Sequence, residues 1–466
     1  MKDDNFLKEH NAKALWHPMG APGDSLANPP VIITRAEGSR IFDIDGHSTV
    51  DGVGGLWCAN LGYSNDVVKE AIAKQLYDLP YYSAFAGSTN PTAIEASMAV
   101  QDFFAEDGIG RVFFTSGGSD SVETCLRLSR QYHRIKGQPQ RTKFLSLKKG
   151  YHGTHFGGAS VNGNNRFRIG YEPLLPGCFH LTAPYPYRNP YDETDPAALA
   201  QKIAAEMVDE IEFQGPDTIA AFIMEPILGA GGVIVPDASF MKLMREICTK
   251  YGILMIADEV ICGFGRTGDW TGSRHWGVKP DMMSVAKGIT SAYFPVGAAL
   301  ISEEVAEVFE TADSAAAGIW HGYTYSAHPV GAAAVTACLS ETLRLDTRTN
   351  AAARGTQLYE GLLGLKEKYD IVGDVRGGHG LMTAVEFVSD RAKKTPMDVA
   401  TVKKIQKGIY DAGAMVRPAP PNIMMSPPLV ITEAQIDDMF DILTEGVQRA
   451  TRELLEQGLE LEQERV

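Results

Sequence analysis

Apolar residues in this chain follow two rhythms, and each rhythm predicts an element. Over residues 31–55 apolar and polar positions alternate, with turn signals at Glu37 and Gly38 and at Asp45 and Gly46, which predicts short antiparallel strands in a small N-terminal lobe. In SNDVVKEAIAKQL the spacing lengthens: Val68, Ile72 and Leu76 recur at helical intervals behind a cap at Ser64 or Asn65. Short apolar runs then alternate with longer amphipathic ones: RVFFTS before DSVETCLRLSRQYHRI, KFLSLK, IAAFIMEP before FMKLMREICTKYG, then ILMIADEV, DMMSVAKG and VGAALIS. Strand alternating with helix predicts a mostly parallel sheet covered on both faces, with ligands beyond the carboxyl ends of its strands. From about His328 long helical segments lead to short strands, DVRGGHGLMTAVEF and GAMVRPA, and to a final helix. The chain thus divides into residues 1–60 and 328–466, the two parts of a small lobe, around a large lobe at 61–327. The tail RELLEQGLELEQERV is charged on most faces and reads as a solvated helix that frays.

Composition narrows the function. The 466 residues suffice for two lobes, and a net charge of -15 opposes binding to nucleic acid or anionic membranes. The first residues lack a basic stretch followed by an apolar core, and no apolar run approaches the ~20 residues that span a bilayer. A cytoplasmic protein is expected. Cys58, Cys125, Cys178, Cys248, Cys262 and Cys338 are scattered without a CxxC pair, so free thiols are expected rather than disulfides or zinc. His152 and His155 lie close together in KGYHGTHFGG but have no third ligand nearby, and no metal is expected.

Three strand ends carry candidate chemistry. The first leads into Ser116, Gly117, Gly118 and Ser119 before a helix, offering backbone N–H groups and hydroxyls to a phosphate. A tight turn with an N-cap would use the same residues. The second ends on Asp258, whose carboxylate at the edge of a buried strand needs a partner, either a cap on the next loop or a protonated ring nitrogen. The third ends on Lys287, either a buried amine that loses its charge and acts as a nucleophile or a lysine snorkelling from the strand terminus. Together they suit a cofactor with a phosphate, a basic ring nitrogen and an aldehyde: pyridoxal 5'-phosphate.

Stretches in chain order, FFTSGGSDSVETCLRLSR, GYHGTH, FIMEPILGAGG, ILMIADEVICGFGRTG, PDMMSVAKGI, HGYTYSAHPVGAAA and GAMVRPAPPNIMMSPPLVIT, resemble consecutive blocks of the class III aminotransferases, pyridoxal-phosphate enzymes of fold type I. The likeness runs over about residues 31–432. It implies an α/β fold with a large lobe on a mostly parallel seven-stranded sheet and a smaller α+β lobe from both termini. By matching position, Lys287 would be the Schiff-base lysine and the base that moves a proton between substrate and cofactor. Asp258 would hold the pyridinium, Tyr151 and Val260 would cover its two faces, and Glu225 would support the hydrogen bonds beside it. Taken alone, Tyr151 and Glu225 suit structural roles equally well. Gly118 and Ser119 would meet the phosphate, and Thr324 would reach the phosphate of a neighbouring subunit, which implies a homodimer with shared active sites. Where many members read SGSEA, this chain has Gly117, Gly118, Ser119, Asp120 and Ser121. Gly117 removes a side-chain donor, so the grip would lean on backbone amides, Ser119 and Thr324.

Arg417 opens the loop RPAPP, and its planar fork suits a carboxylate, although an arginine there also serves as a surface ion-pair residue. In the amine:pyruvate branch that the chain resembles, the matching arginine binds the keto acid and swings away for an apolar amine. Trp57, Tyr151, Ala230 and a partner's Phe85 would form the walls, with Trp57 and Phe85 also serving as dimer core. These walls favour an apolar donor substituent. The expected reaction is ping-pong transamination from a primary amine or omega-amino compound, such as beta-alanine, taurine or a diamine, to pyruvate, giving alanine. Alternatives on the same fold are an aminomutase or a decarboxylase. From another class, a non-catalytic phosphate- or nucleotide-binding protein would need a Walker lysine or Rossmann fingerprint in context, and neither is present.

Overall fold

The structure, a computed structural model, describes residues 3–456. Its centre is a seven-stranded sheet in the order Ile109–Thr115, Gly297–Ser302, Met282–Val285, Leu254–Asp258, Ile219–Met224, Lys143–Leu147, Cys178–Leu181. Only Gly297–Ser302 runs antiparallel to its neighbours. Every residue of Ile219–Met224 and Leu254–Asp258 is buried, which explains why these strands read as continuous apolar runs rather than alternating ones. Each fully buried Ile, Phe or Met side chain contributes about 1.5–3 kcal/mol of apolar burial.

The N-terminal strands Ile33–Glu37, Arg40–Asp43 and Ser48–Asp51 form the expected antiparallel meander. Its fourth strand, Ala414–Met415, arrives from the far end of the chain and pairs parallel with Ser48–Asp51. The stretch GAMVRPA therefore breaks at Val416, because Arg417–Ala419 belongs to a second, antiparallel sheet with Asn422–Met425, Thr383–Asp390 and Val372–Arg376. Asn65, not Ser64, caps the helix Asp66–Asp78, and the Ser64 hydroxyl accepts from Gly38 N at 2.8 Å.

The expected join at 327/328 falls just before the helix Pro329–Arg344. Helix Pro329–Arg344 packs on Asp66–Asp78 and Pro91–Phe103, and gives Ala332, Val335 and Leu339 to the large core. The second core begins with Thr347–Lys368, through Ala351, Leu358 and Leu362, and takes in Val50 from the N-terminal strands. The final helix spans Glu433–Glu456, and the rest of the charged tail lies outside the described residues.

Two buried arginines join the halves. Arg266, in the GFGRTG loop, donates to Leu381 O at 2.9 Å, Pro427 O at 2.6 Å and Asn60 Oδ1 at 2.9 Å. Burial pulls its guanidinium down to about 10. Arg376 donates to Gly232 O at 2.7 Å, to Asp374 at 2.8 Å and to Glu386 at 3.0 Å, while Arg188 meets the other Glu386 oxygen at 2.6 Å. The loop after Ile219–Met224 is thereby held against the second sheet.

Candidate active site

The ends of Leu254–Asp258, Ile219–Met224 and Met282–Val285 open onto one cavity of about 190 Å³, lined by Gly118, Ser119, Tyr151, Asp258, Val260 and Lys287 among others. Asp258 is buried, and its Oδ2 lies 2.8 Å from His152 Nδ1 while Oδ1 accepts from Val260 N at 3.2 Å. Glu259 turns away from the cavity and accepts from Gly272 N at 2.9 Å, Ser273 N at 2.7 Å and Ser273 Oγ at 2.5 Å. Burial pushes its carboxyl up to about 7. The acidic pair at this strand end thus divides into a carboxylate facing the cavity and one that holds the following loop.

Lys287 sits at φ +47°, a strained setting for a lysine, and lines the cavity, its Nζ having no hydrogen bond or ion pair among the described residues. Burial lowers its pKa below 10.5, against the opposing charges of Asp258, Cys58 and Glu225. The shift is toward the uncharged amine that a nucleophile requires. Glu225 accepts from Tyr151 N at 2.8 Å and Gly229 N at 2.9 Å, and burial raises its carboxyl to about 7.

Helix Gly118–Ile135 begins on Gly117 without a side-chain cap, which leaves its first N–H groups free for a ligand. The loop is braced from behind. Asp120 accepts from Ser116 N at 3.0 Å and meets His155 Nε2 at 2.6 Å, and Ser119 Oγ accepts from Thr154 N at 3.2 Å. The Ser121 hydroxyl lies 2.9 Å from Gly117 O and 3.0 Å from Val285 O, tying the loop to the strand that ends near Lys287. Gly153 closes over Ser119 at φ +87°, where a Cβ would come within 2.6 Å of Ser119 Oγ. Asp120 and Ser121 thus hold the loop backbone where the sequence departs from SGSEA.

His152, Asp120 and Ser121 are the residues that sequence reasoning missed. The two histidines considered as metal ligands serve different carboxylates, and only its place directly after Tyr151 at a glycine-rich strand exit signalled His152. An acidic group beside a ring-sized cavity, a lysine of lowered pKa and an uncapped helix start fit the ring nitrogen, aldehyde and phosphate of pyridoxal phosphate.

Trp57 is 1% exposed within its own chain and belongs to the large core, with φ +64°. It packs within its own chain and does not line the cavity. Ala230 is half-buried in the loop after Ile219–Met224. Phe85 and Thr324 lie elsewhere: both are exposed, Phe85 borders a separate cleft with Trp320 and Gly322, and Thr324 O accepts from Tyr81 Oη at 2.8 Å. One chain alone does not bring them to Lys287. Arg417 is half-buried and carries no ion pair or side-chain hydrogen bond among the described residues. Burial lowers its pKa and the charge of Arg166 adds to this, with Tyr151 opposing.

The fold and this site define a pyridoxal-phosphate-dependent aminotransferase of fold type I. The profile of the family "Aminotransferase class-III" matches residues 23–447, and the chain belongs to that family. It is 38% identical to the uncharacterized aminotransferase y4uB of Sinorhizobium fredii, over 98% of this chain and 99% of that one. It is 36% identical to the putrescine–pyruvate aminotransferase of Pseudomonas aeruginosa, over 88% and 89% of the two chains. The crystal structure of an amine transaminase from an uncultivated Pseudomonas species, in its PLP-bound form, superposes with a TM-score of 0.92 at 44% identity, covering 94% of this chain and 99% of that one.

Proposed function

We propose that the protein moves an amino group from a primary amine or omega-amino compound to pyruvate, giving alanine, in two half-reactions. Pyridoxal phosphate, when bound, carries the amino group between them and takes up the electron pair left as the substrate C–H proton departs. Lys287 Nζ accepts and moves that proton, its pKa lowered by burial. Asp258, steadied by His152, keeps the ring nitrogen protonated, while Tyr151 and Val260 cover the ring faces and Glu225 holds the Tyr151 backbone. Gly118, Ser119 and the uncapped helix start receive the phosphate, joined by Thr324 of a second copy in a cytoplasmic homodimer.

The observation that carries the choice of acceptor is Arg417, a cation near Tyr151 with no partner among the described residues. Its fork takes the keto-acid carboxylate, and with no ion pair to break it moves aside for an apolar donor. Ala230 and the second copy's Phe85 shape the donor side. The test is the absorption band near ~410 nm of a lysine-bound cofactor, which is expected to fall on adding 1-phenylethylamine and to return with pyruvate as alanine forms. Carbon dioxide release, or an intramolecular amine shift without a keto acid, would instead indicate a decarboxylase or an aminomutase.

A further inference from the structure

Outside the Lys287 cavity lies a second cleft of about 620 Å³, lined by Met19, Thr154, Phe156, Arg166, Phe167 and Tyr171 among others. The two share a wall: the rings of Tyr151, which lines the inner cavity, and Phe167, which lines the outer one, meet edge to face with centroids 5.0 Å apart. The Arg166 guanidinium lies over Phe167, 5.0 Å from its centroid. Among the described residues Arg166 has no ion-pair partner, and it is the only charged residue lining the outer cleft. Arg417, near Tyr151, is likewise unpaired. Arg166 is exposed at the outer cleft, and the carboxylates lining the two cavities are Asp258 and Glu225 of the inner one, both already hydrogen-bonded.

We propose that Arg166 receives the remote anionic group, carboxylate or sulfonate, of an omega-amino donor whose amine lies at Lys287, and so selects such donors over diamines. A second ammonium placed beside Arg166 would be repelled with nothing to neutralise it, whereas an anion gains a planar two-point partner already oriented by its stacking on Phe167. The proposal rests on the amine-donor reading above and narrows it. It separates this chain from its relative named for putrescine, a diamine.

The test uses the holoenzyme with pyruvate as acceptor and alanine formation as readout. The donors are 4-aminobutyrate, beta-alanine and taurine, with 1,4-diaminobutane as the cationic counterpart of 4-aminobutyrate and 1-phenylethylamine as the apolar reference. The wild type is expected to favour at least one anionic donor over the diamine in kcat/KM. Arg166→Gln lowers that donor's kcat/KM about 10- to 100-fold relative to 1-phenylethylamine, chiefly through KM, the loss expected for one charge-assisted contact made equally in ground and transition states. Arg166→Lys restores part of it, and Arg166→Glu shifts preference toward the diamine. A wild type that prefers the diamine, or an Arg166→Gln ratio equal to that of the wild type, overturns the proposal while leaving amine:pyruvate transfer intact. If pyruvate is refused, the acceptor reading fails by itself, and the same donor ratios read with 2-oxoglutarate still decide the role of Arg166.

Discussion

Lys287 combines two unfavourable features, a buried amine and a left-handed backbone, the second alone costing about 1–3 kcal/mol. Such costs persist where chemistry needs them. Replacing Lys287 by Ala is expected to lower kcat by about 10⁴-fold or more, as for loss of both nucleophile and base, and to abolish the amine-sensitive absorption band. The same residue gives the apoprotein a pH dependence. Its pKa in the folded state lies below 10.5, so between that lowered value and 10.5 the unfolded chain binds the extra proton and stability rises with pH. Urea midpoints of Lys287→Met apoprotein should lack this alkaline rise and exceed the wild type near neutrality. His152 acts through Asp258. His152→Phe removes the 2.8 Å partner of a buried carboxylate, an expected loss of about 1–3 kcal/mol seen as a lower melting temperature, together with weaker cofactor retention in gel filtration.

At the scale of elements, the site depends on loops being held where strands from different sheets end. The loop after Ile219–Met224 carries Glu225, Gly229 and Ala230, and Arg376 clamps it through Gly232 O while pairing with Glu386 and Asp374. Arg376→Met leaves Glu386, a buried acid that its partners hold below the usual carboxylate range against burial, with only Arg188 and Tyr185. Breaking such a buried ion pair costs about 3–5 kcal/mol. Calorimetry should show that loss, with KM for donors rising because the loop is freed near the cavity. Glu386→Gln, which keeps hydrogen-bonding capacity, should lose less.

For the whole molecule, the exposed apolar surface is the telling feature. Tyr77, Phe85, Ile94, Met98 and Trp320 are all at least half exposed, and Trp320 reaches 94%. Several border one cleft, an arrangement that in a soluble protein marks an interaction face. A second copy covering that face would carry Phe85 and the nearby Thr324 toward another chain's site. Trp320→Asp is expected to shift sedimentation equilibrium from dimer to monomer and to lower activity with it, while far-ultraviolet circular dichroism stays unchanged. A variant that remains dimeric and fully active would place the interface elsewhere.

The rhythm of apolar residues determined the parallel sheet, because a strand buried on both faces must be apolar throughout, and strand ends such as Asp258 and Lys287 stand out against that background. The break at Val416 and the helix Pro329–Arg344 packed on the large core were not legible: both depend on which neighbour an element meets, and local pattern is the same for either choice. His152 pairs with Asp258 across 106 positions, Arg376 with Gly232 across 144, and Arg166 nears Arg417 from a different loop altogether. Chain connectivity by itself therefore determined which groups arrive at the ends of strands. Only the tertiary structure decided which of them are neutralised by a partner and which remain free to meet a substrate, because charge pairing in a folded interior depends on distance through space.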